Sequence, residues 1–335
     1  MILSKNIIKK SSNNNRIKTV IIGPGAIGCL FASHLSKLPH IDLWILDKNL
    51  KRAKYLQKTG IKVKGLSKIY LKPEKIKITT KPEKIGKADL IIVCVKSHQT
   101  EKAIKKAIPC ISKNTTILTI QNGLNNIKTI EKVTKRKTNI IAGITSHGAT
   151  LLSPGKINHA GKGPTIIGRT DKKTNIKDLI KIKRIFNEAN IETKIKNDIQ
   201  SVLWSKLILN SAINPVGSIS FRKNGEIIKD EFLKDILCKT AEESAEVAKK
   251  LGIKLIYKNP SRKVIDVCKK TSQNYNSMLQ DIMHHKKTEI EYINGAIIRK
   301  AKEIGLETPY NNMLYYFVKF LEENYPKWNK KKSTK

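Results

Sequence analysis

Between Ile17 and about Ile195 short apolar runs alternate with amphipathic stretches. KTVII (18–22), DLWIL (42–46), DLIIVCV (89–95) and TTILTI (115–120) read as buried strands, because runs this apolar leave little of either face for water. The stretches 98–108 and 124–133 between them carry apolar residues at helical spacing. Strand–helix alternation of this kind predicts a parallel sheet with helices on both faces. Residues 139–170 have a different texture. NIIAGITSHGATL, KINHAG and PTIIGRT are broken by Pro154–Gly155 and Gly161–Gly163, which predicts consecutive strands and tight turns that extend the sheet.

Near Asn197 the strands largely vanish. Asp198 is placed to cap a helix that begins IQSVLW, and helical patterns follow over 198–213, 227–251, 261–271, 277–303 and 309–323. The reading is an α/β dinucleotide-binding domain over 17–196 and a helical substrate domain over 197–325. It is flanked by a disordered basic extension (1–16) and a basic tail (326–335).

The first strand runs into GPGAIG, with Gly23, Gly25 and Gly28 in a G-x-G-x-x-G frame ahead of the helix CLFASHLSKL. The first glycine permits a tight turn, the second lets the backbone approach a pyrophosphate, and the third lets helix and strand pack closely. Pro24, Ala26 and Ile27 complete the loop, and the helix N-terminus adds N–H groups and a positive dipole for phosphates. The second strand ends at Asp47, the usual position of a carboxylate that takes the ribose hydroxyls of NAD(H). Asp47 can equally cap the next helix, and Lys48, Lys51 and Arg52 beside it can accommodate a 2′-phosphate. Lys96 and Asn122 stand just past two further strands, at the carboxyl edge where ligands bind in open parallel sheets, which favours a cofactor contact over a helix cap or a loop contact for each.

KLILNSAINP (206–215) opens the helical half with Lys206, Asn210 and Asn214 four residues apart, so the three share one helix face among apolar neighbours. A lysine shielded from water has a depressed pKa and can act as a general acid, with two carboxamides beside it to orient a polar substrate. Snorkelling of Lys206 and satisfied, buried asparagines read the pattern equally well. Pro215 predicts that the polar face ends at a kink or terminus. In NYNSMLQDIMHHKKTEIEYINGAI, Ser277 and Gln280 form a capping-box pattern, and Asp281 reads as a helix-surface charge. Glu289, two turns further on, serves either to position Lys206 or as a surface ion pair with Lys286 or Lys287. His98 and His147 lie near strand ends without an assigned role, and no histidine set suggests a metal.

Composition changes this picture little. The net charge of +39 invites a polyanion partner, but only eight of the 66 basic residues are Arg and the lysines are spread over the whole chain. That favours solvated surface over nucleic acid. Five scattered cysteines without a CxxC pair argue against a disulfide framework or zinc site. No apolar run is long enough for a membrane span or a signal peptide, so the expected location is cytoplasmic.

Taken together, GPGAIG (23–28), VKSHQT (95–100), QNG (121–123), GITSHGA (143–149), KLILNSAINP (206–215), KNGE (223–226) and SMLQDI through TEIEYINGAI (277–297) resemble the ketopantoate reductase family. The resemblance covers the chain from Ile17 to about Tyr325. It implies a Rossmann-type domain followed by an all-α domain of the 6-phosphogluconate dehydrogenase C-terminal type. The implied reaction is reduction of 2-dehydropantoate to (R)-pantoate in pantothenate and coenzyme A synthesis. Lys206 matches the general acid; Asn210, Asn214 and Asn224 match substrate asparagines. Asn274 to Ser277 match the segment that holds the substrate carboxylate and hydroxyl. Gly23 to Gly28, Lys96, Asn122 and the backbone of Ala149 match cofactor contacts, and Glu289 matches a glutamate near both cofactor and substrate. The family generally uses NADP(H), whereas Asp47 keeps NAD(H) open. A small-molecule substrate, no metal and a monomer or homodimer complete the expectation. Two alternatives stand beside it: a reductase of another small 2-oxo or hydroxy acid on the same fold, and, more distantly, a nucleic-acid-binding protein built on a dinucleotide fold.

Overall fold

The computed structural model describes residues 16–171 and 174–330; most of the expected N-terminal extension and the last five residues of the expected tail lie outside them. In chain order the first half runs β1 (Ile17–Ile22), α1 (Ala26–Leu35), β2 (Ile41–Leu46), α2 (Leu50–Thr59), β3 (Ile61–Gly65), β4 (Ile69–Leu71) and β5 (Ile78–Thr79). It continues with β6 (Leu90–Val93), α3 (Thr100–Ala107), β7 (Thr116–Thr119), α4 (Asn126–Thr134), β8 (Asn139–Thr145), β9 (Gly148–Ser153), β10 (Lys156–Gly161), β11 (Thr165–Arg169), α5 (Ile176–Glu188) and β12 (Thr193–Ile195).

Eight strands form one sheet in the order β12-β11-β8-β7-β6-β1-β2-β5, parallel throughout except where β11 meets β8. The apolar runs become its centre because each is covered on both faces. Ile21, Ile92 and Leu118 pack towards α1 and α5, while Val20, Ile91 and Ile117 pack on the opposite face. The 139–170 segment only partly extends this sheet. β8 and β11 join it, but β9 and β10 leave it for a second, four-stranded sheet in the order β4-β3-β10-β9. Ile157 of β10 and Val63 of β3 are paired and both buried, so by turning aside the second sheet joins the core that α1 and α5 share with the main sheet.

A buried polar chain links this sheet to α1. His147 Nδ1 lies 2.9 Å from His159 Nε2, His159 Nδ1 2.8 Å from Ser67 Oγ, and Ser67 Oγ 3.2 Å from His34 Nε2. His34 Nδ1 ends the chain on the carbonyl of Ala189 at 2.8 Å. Burial holds all three histidines below the ordinary value, His147 down to about 4.

The second half is helical: α6 (Ile199–Ser220), α7 (Asn224–Ile227), α8 (Glu231–Lys250), α9 (Pro260–Lys270), α10 (Ser277–Met283), α11 (Asn294–Glu303) and α12 (Pro309–Lys330). Its core gathers Trp204, Leu207 and Ile208 of α6 with residues such as Leu237, Val264, Ile297 and Leu314. Asp198 caps α6 by accepting the Ser201 N–H at 3.0 Å. Two expectations are corrected here. Pro215 does not end α6, which continues to Ser220 with the proline inside it. The 277–303 stretch is not one helix: His285 adopts φ 51°, and α10 and α11 are separate.

The two halves meet tightly. Gly168 of β11 lies so close to the junction that a Cβ there would sit 2.5 Å from the Lys196 carbonyl oxygen and 2.7 Å from Ile199 Cβ. Gly123, at φ +80°, sits against Tyr292, whose carbonyl accepts the Leu124 N–H at 3.1 Å.

Candidate active site

The nucleotide end is built by β1, the glycine loop and α1. Gly23 adopts φ +95°, and a Cβ there would meet Val95 Cγ1 at 2.6 Å, so the tight turn under β6 requires glycine. At Gly28 a Cβ would fall 2.1 Å from the Gly23 carbonyl oxygen. Gly25 differs: a Cβ there would meet nothing within 4 Å, and Gly25 is also the N-cap of α1, without a side-chain cap bond. An open space over the second glycine, in front of uncapped helix N–H groups, fits a dinucleotide pyrophosphate.

Asp47 departs from the expectation that it offers a carboxylate to ribose. Arg52 takes both of its oxygens, Nε at 2.7 Å and Nη2 at 2.5 Å, and the Asn49 N–H adds a bond at 3.1 Å. Asp47 is 2 % exposed, whereas Arg52 is half-buried and Lys48 and Lys51 are exposed. The group that faces outward at the end of β2 is therefore a guanidinium, not a carboxylate. Helix α2 is capped by Asn49 instead, which accepts the Arg52 N–H at 2.9 Å.

The chemistry-bearing residues converge where the halves meet. Lys206, on the second turn of α6, donates from Nζ to the carbonyl of Thr145, the last residue of β8, at 2.9 Å. Burial pushes its ammonium down to about 8, and the charge of Glu289 works against that shift. Asn210, half-buried, and Asn214, buried, follow on the next turns. Glu289 is buried, not a surface ion pair. Its Oε1 accepts the Ser97 N–H at 2.9 Å and its Oε2 faces Asn122 Nδ2 at 3.4 Å and Lys96 Nζ at 3.7 Å. Asp281 is likewise no surface charge: its Oδ2 accepts from Lys96 Nζ at 2.7 Å and it is 7 % exposed. Burial disfavours the Lys96 charge, but Glu289 and Asp281 together hold the ammonium above the ordinary lysine value. Around them Ser97 Oγ donates to the Asn122 carbonyl at 2.7 Å, and Asn126 Nδ2 donates to the same oxygen at 2.9 Å. Gln121 ties the ends of two strands together through Val95 O at 2.8 Å.

The remaining expected residues line the helical side. Asn276, not Ser277, caps α10, accepting the N–H groups of Met278 at 3.0 Å and Leu279 at 2.9 Å. Gln280 donates to the Tyr275 carbonyl rather than closing a box. Ser277 is thereby left exposed at the first helical position. Asn276 also packs on α6, since a Cβ on Gly217 would come within 2.5 Å of its Nδ2, which brings the 274–277 segment beside Asn214. The Asn224 N–H bonds the Asn274 carbonyl at 3.0 Å, and its side chain donates to Thr271 Oγ1 at 2.8 Å, leaving a buried Oδ1 without a partner. Ala149 lies in β9, paired with His159.

Sequence reasoning missed Asp281, Ser97 and the carbonyl of Thr145 as parts of the site. Asp281 looked like an ordinary helix-face charge, and a backbone carbonyl leaves no trace in a side-chain pattern. Among the described residues no group of three or more His, Cys, Asp or Glu is placed to hold a metal ion, and no helix is long and apolar enough to cross a membrane.

A glycine loop open to a pyrophosphate at one end of the seam and a half-buried lysine with polar side chains at the other fit an oxidoreductase that uses a nicotinamide cofactor. The chain matches the ketopantoate reductase PanE/ApbA family over residues 19–172 and that family's C-terminal region over 198–322. It is 36% identical over 309 residues to a 2-dehydropantoate 2-reductase of Pyrococcus horikoshii, covering 91% of this chain and 98% of that one. Its structure superimposes on a PanE/ApbA family ketopantoate reductase from Ralstonia eutropha JMP134 with a TM-score of 0.83 at 25% identity, covering 92% of this chain and 99% of that one. A D-mandelate dehydrogenase in a ternary structure with NADH and anilino(oxo)acetate gives a TM-score of 0.83 at 27% identity, with the same coverage. The chain belongs to the ketopantoate reductase family.

Proposed function

We propose that this protein reduces 2-dehydropantoate to (R)-pantoate, with Lys206 as the general acid. The observation that carries the reading is Lys206 itself: a half-buried lysine at the seam whose ammonium is anchored on the Thr145 carbonyl, is pushed down to about 8 by desolvation, and feels the charge of Glu289. Family membership over both halves supports the substrate. A reduced nicotinamide, when bound, supplies the hydride to C2 of the oxo acid. As negative charge grows on the carbonyl oxygen, the Lys206 ammonium stabilises it and then gives up a proton. Asn210 and Asn214, one and two turns along the same helix, orient the acid so that its carbonyl meets Lys206, and Asn224 and the 274–277 segment close the far side. Glu289, fixed by Ser97 and Asn122, keeps Lys206 protonated at neutral pH.

For the cofactor we propose a preference for NADP(H). A carboxylate at the end of β2 repels a 2′-phosphate. Here Arg52 neutralises that carboxylate, and Lys48 and Lys51 add positive charge beside it.

The test is loss of absorbance at the reduced-nicotinamide band with purified protein and 2-dehydropantoate, with NADPH and NADH run in parallel. The expected result is turnover with both substrate and cofactor at a higher kcat/KM for NADPH. Turnover only with some other 2-oxo acid would overturn the substrate, and a higher kcat/KM for NADH would overturn the cofactor preference.

A further inference from the structure

Four ionisable side chains alternate in sign across the seam. Asp281 of α10 meets Lys96 at 2.7 Å, and Lys96 lies 3.7 Å from Glu289. Glu289 in turn is the charged group that bears on Lys206. Formal charges therefore sum to zero around two buried carboxylates, Asp281 at 7 % and Glu289 at 5 % exposed, with the Lys96 side chain 35 % open to solvent. Glu289 is pinned by the Ser97 N–H and Asn122, so it is not free to follow either lysine. Lys96 reaches in from the nucleotide half on a long stem, and its ammonium has two carboxylates within reach and sits on the nearer.

We propose that Asp281 is a positioning residue for the reduction. It draws the Lys96 ammonium to 2.7 Å and leaves the Lys96–Glu289 pair longer, at 3.7 Å, so that more of the charge of Glu289 remains available to Lys206. This inference rests on the reading of Lys206 as proton donor. Remove the Asp281 charge and two things follow. Lys96 turns to Glu289 as its only carboxylate, and the buried set carries one uncompensated positive charge. Both effects make Lys206 release its proton more readily. The other titratable groups around the set are Lys286 near Asp281, and His98, Lys287, Lys48 and Tyr292 on the Lys96–Glu289 side. None of them is an anion near neutral pH, so none substitutes for the lost carboxylate.

The experiment is the pH dependence of kcat/KM for wild type, Asp281→Asn, Asp281→Ser and Asp281→Glu, each checked for a cooperative thermal melt. The alkaline limb is expected to move down by roughly one pH unit in whichever neutral variant folds, and Asp281→Glu is expected to return it towards the wild-type position. A purely structural role would lower activity at every pH and leave the limb in place, and that result overturns the proposal. Failure of wild type to reduce 2-dehydropantoate would count against the proposed function instead. The charge balance is then read without substrate. With Lys206 releasing its proton earlier in the variant, the gap in melting temperature between wild type and the neutral variant narrows as the pH is raised from about 6 to about 9. A constant gap overturns the proposal on that route.

Discussion

Lys206 owes its chemistry to its address. An exposed lysine would stay charged well above any working pH, whereas this one is buried down to about 8. In the proposed reaction Lys206 gives up a proton and must start as an ammonium, so kcat/KM should be level below that value and fall as the pH rises through it. Lys206→Ala should lower kcat by about 10²–10⁴-fold, while the dissociation constant for the cofactor, measured by fluorescence titration, stays near the wild-type value. Arg52 gives a second expectation. Arg52→Gln removes the cation that masks Asp47, so kcat/KM with NADPH should fall about tenfold or more, of the order of one good charged hydrogen bond, and the value with NADH should change far less. At this scale the sequence was legible wherever a residue's placement follows from its spacing. Lys206, Asn210 and Asn214 share a helix face as their four-residue repeat requires. It was not legible where a role depends on a partner far along the chain. Nothing local distinguishes Asp47 paired with Arg52 from Asp47 open to ribose, or Asp281 on Lys96, 185 residues away, from a solvated charge.

Among the elements, α6 is the one on which the site depends, and its start is set by a single side chain. Asp198 satisfies the Ser201 N–H that the first turn would leave bare, so Asp198→Ala should cost about 1 kcal/mol, read as a drop of roughly 1–2 °C in melting temperature. The cap was readable because it combines an acceptor residue with an apolar-periodic run. The far end of α6 was not, since Pro215 suggests a stop. The helix passes through it because its neighbours, Asn214 to Ser218, are buried in the helical core and held there. The same contest decided α10. Ser277 and Gln280 have the right spacing for a capping box, yet Asn276, one residue earlier, takes both N–H groups because its side chain is also wedged against Gly217. The four main apolar strands were plain, but the turning aside of β9 and β10 was not. An alternating strand fits either sheet, and only the pairing of β10 with β3, over 90 residues earlier, selects the second.

For the whole molecule, the buried chain of His34, Ser67, His159 and His147 sets a limit on the acid side. All three histidines are held below their ordinary value by burial, so the unfolded chain binds more protons than the folded one as the pH drops below about 6.5. Stability is then complete above that pH and is lost as the pH falls towards about 4. His147, 7 % exposed, accounts for about 3 kcal/mol of this. Thermal melts between pH 7 and pH 4.5 should show a steep decline that begins near pH 6.5, and a flat profile down to pH 5 would be inconsistent with three neutral, buried rings.

Gly168 has one more consequence. With no side chain, it lets β11 press against Lys196 and Ile199, where the chain passes from the sheet into α6. The joint is thus a weld whose thickness is one missing methyl group, and seven residues past it stands Lys206, gripping a carbonyl that belongs to the other half. The halves look separable in the sequence but are not interchangeable parts. A hybrid that took its first half from one relative and its second from another would inherit two sound cores and a misaligned lysine, unless both parents shared the same weld.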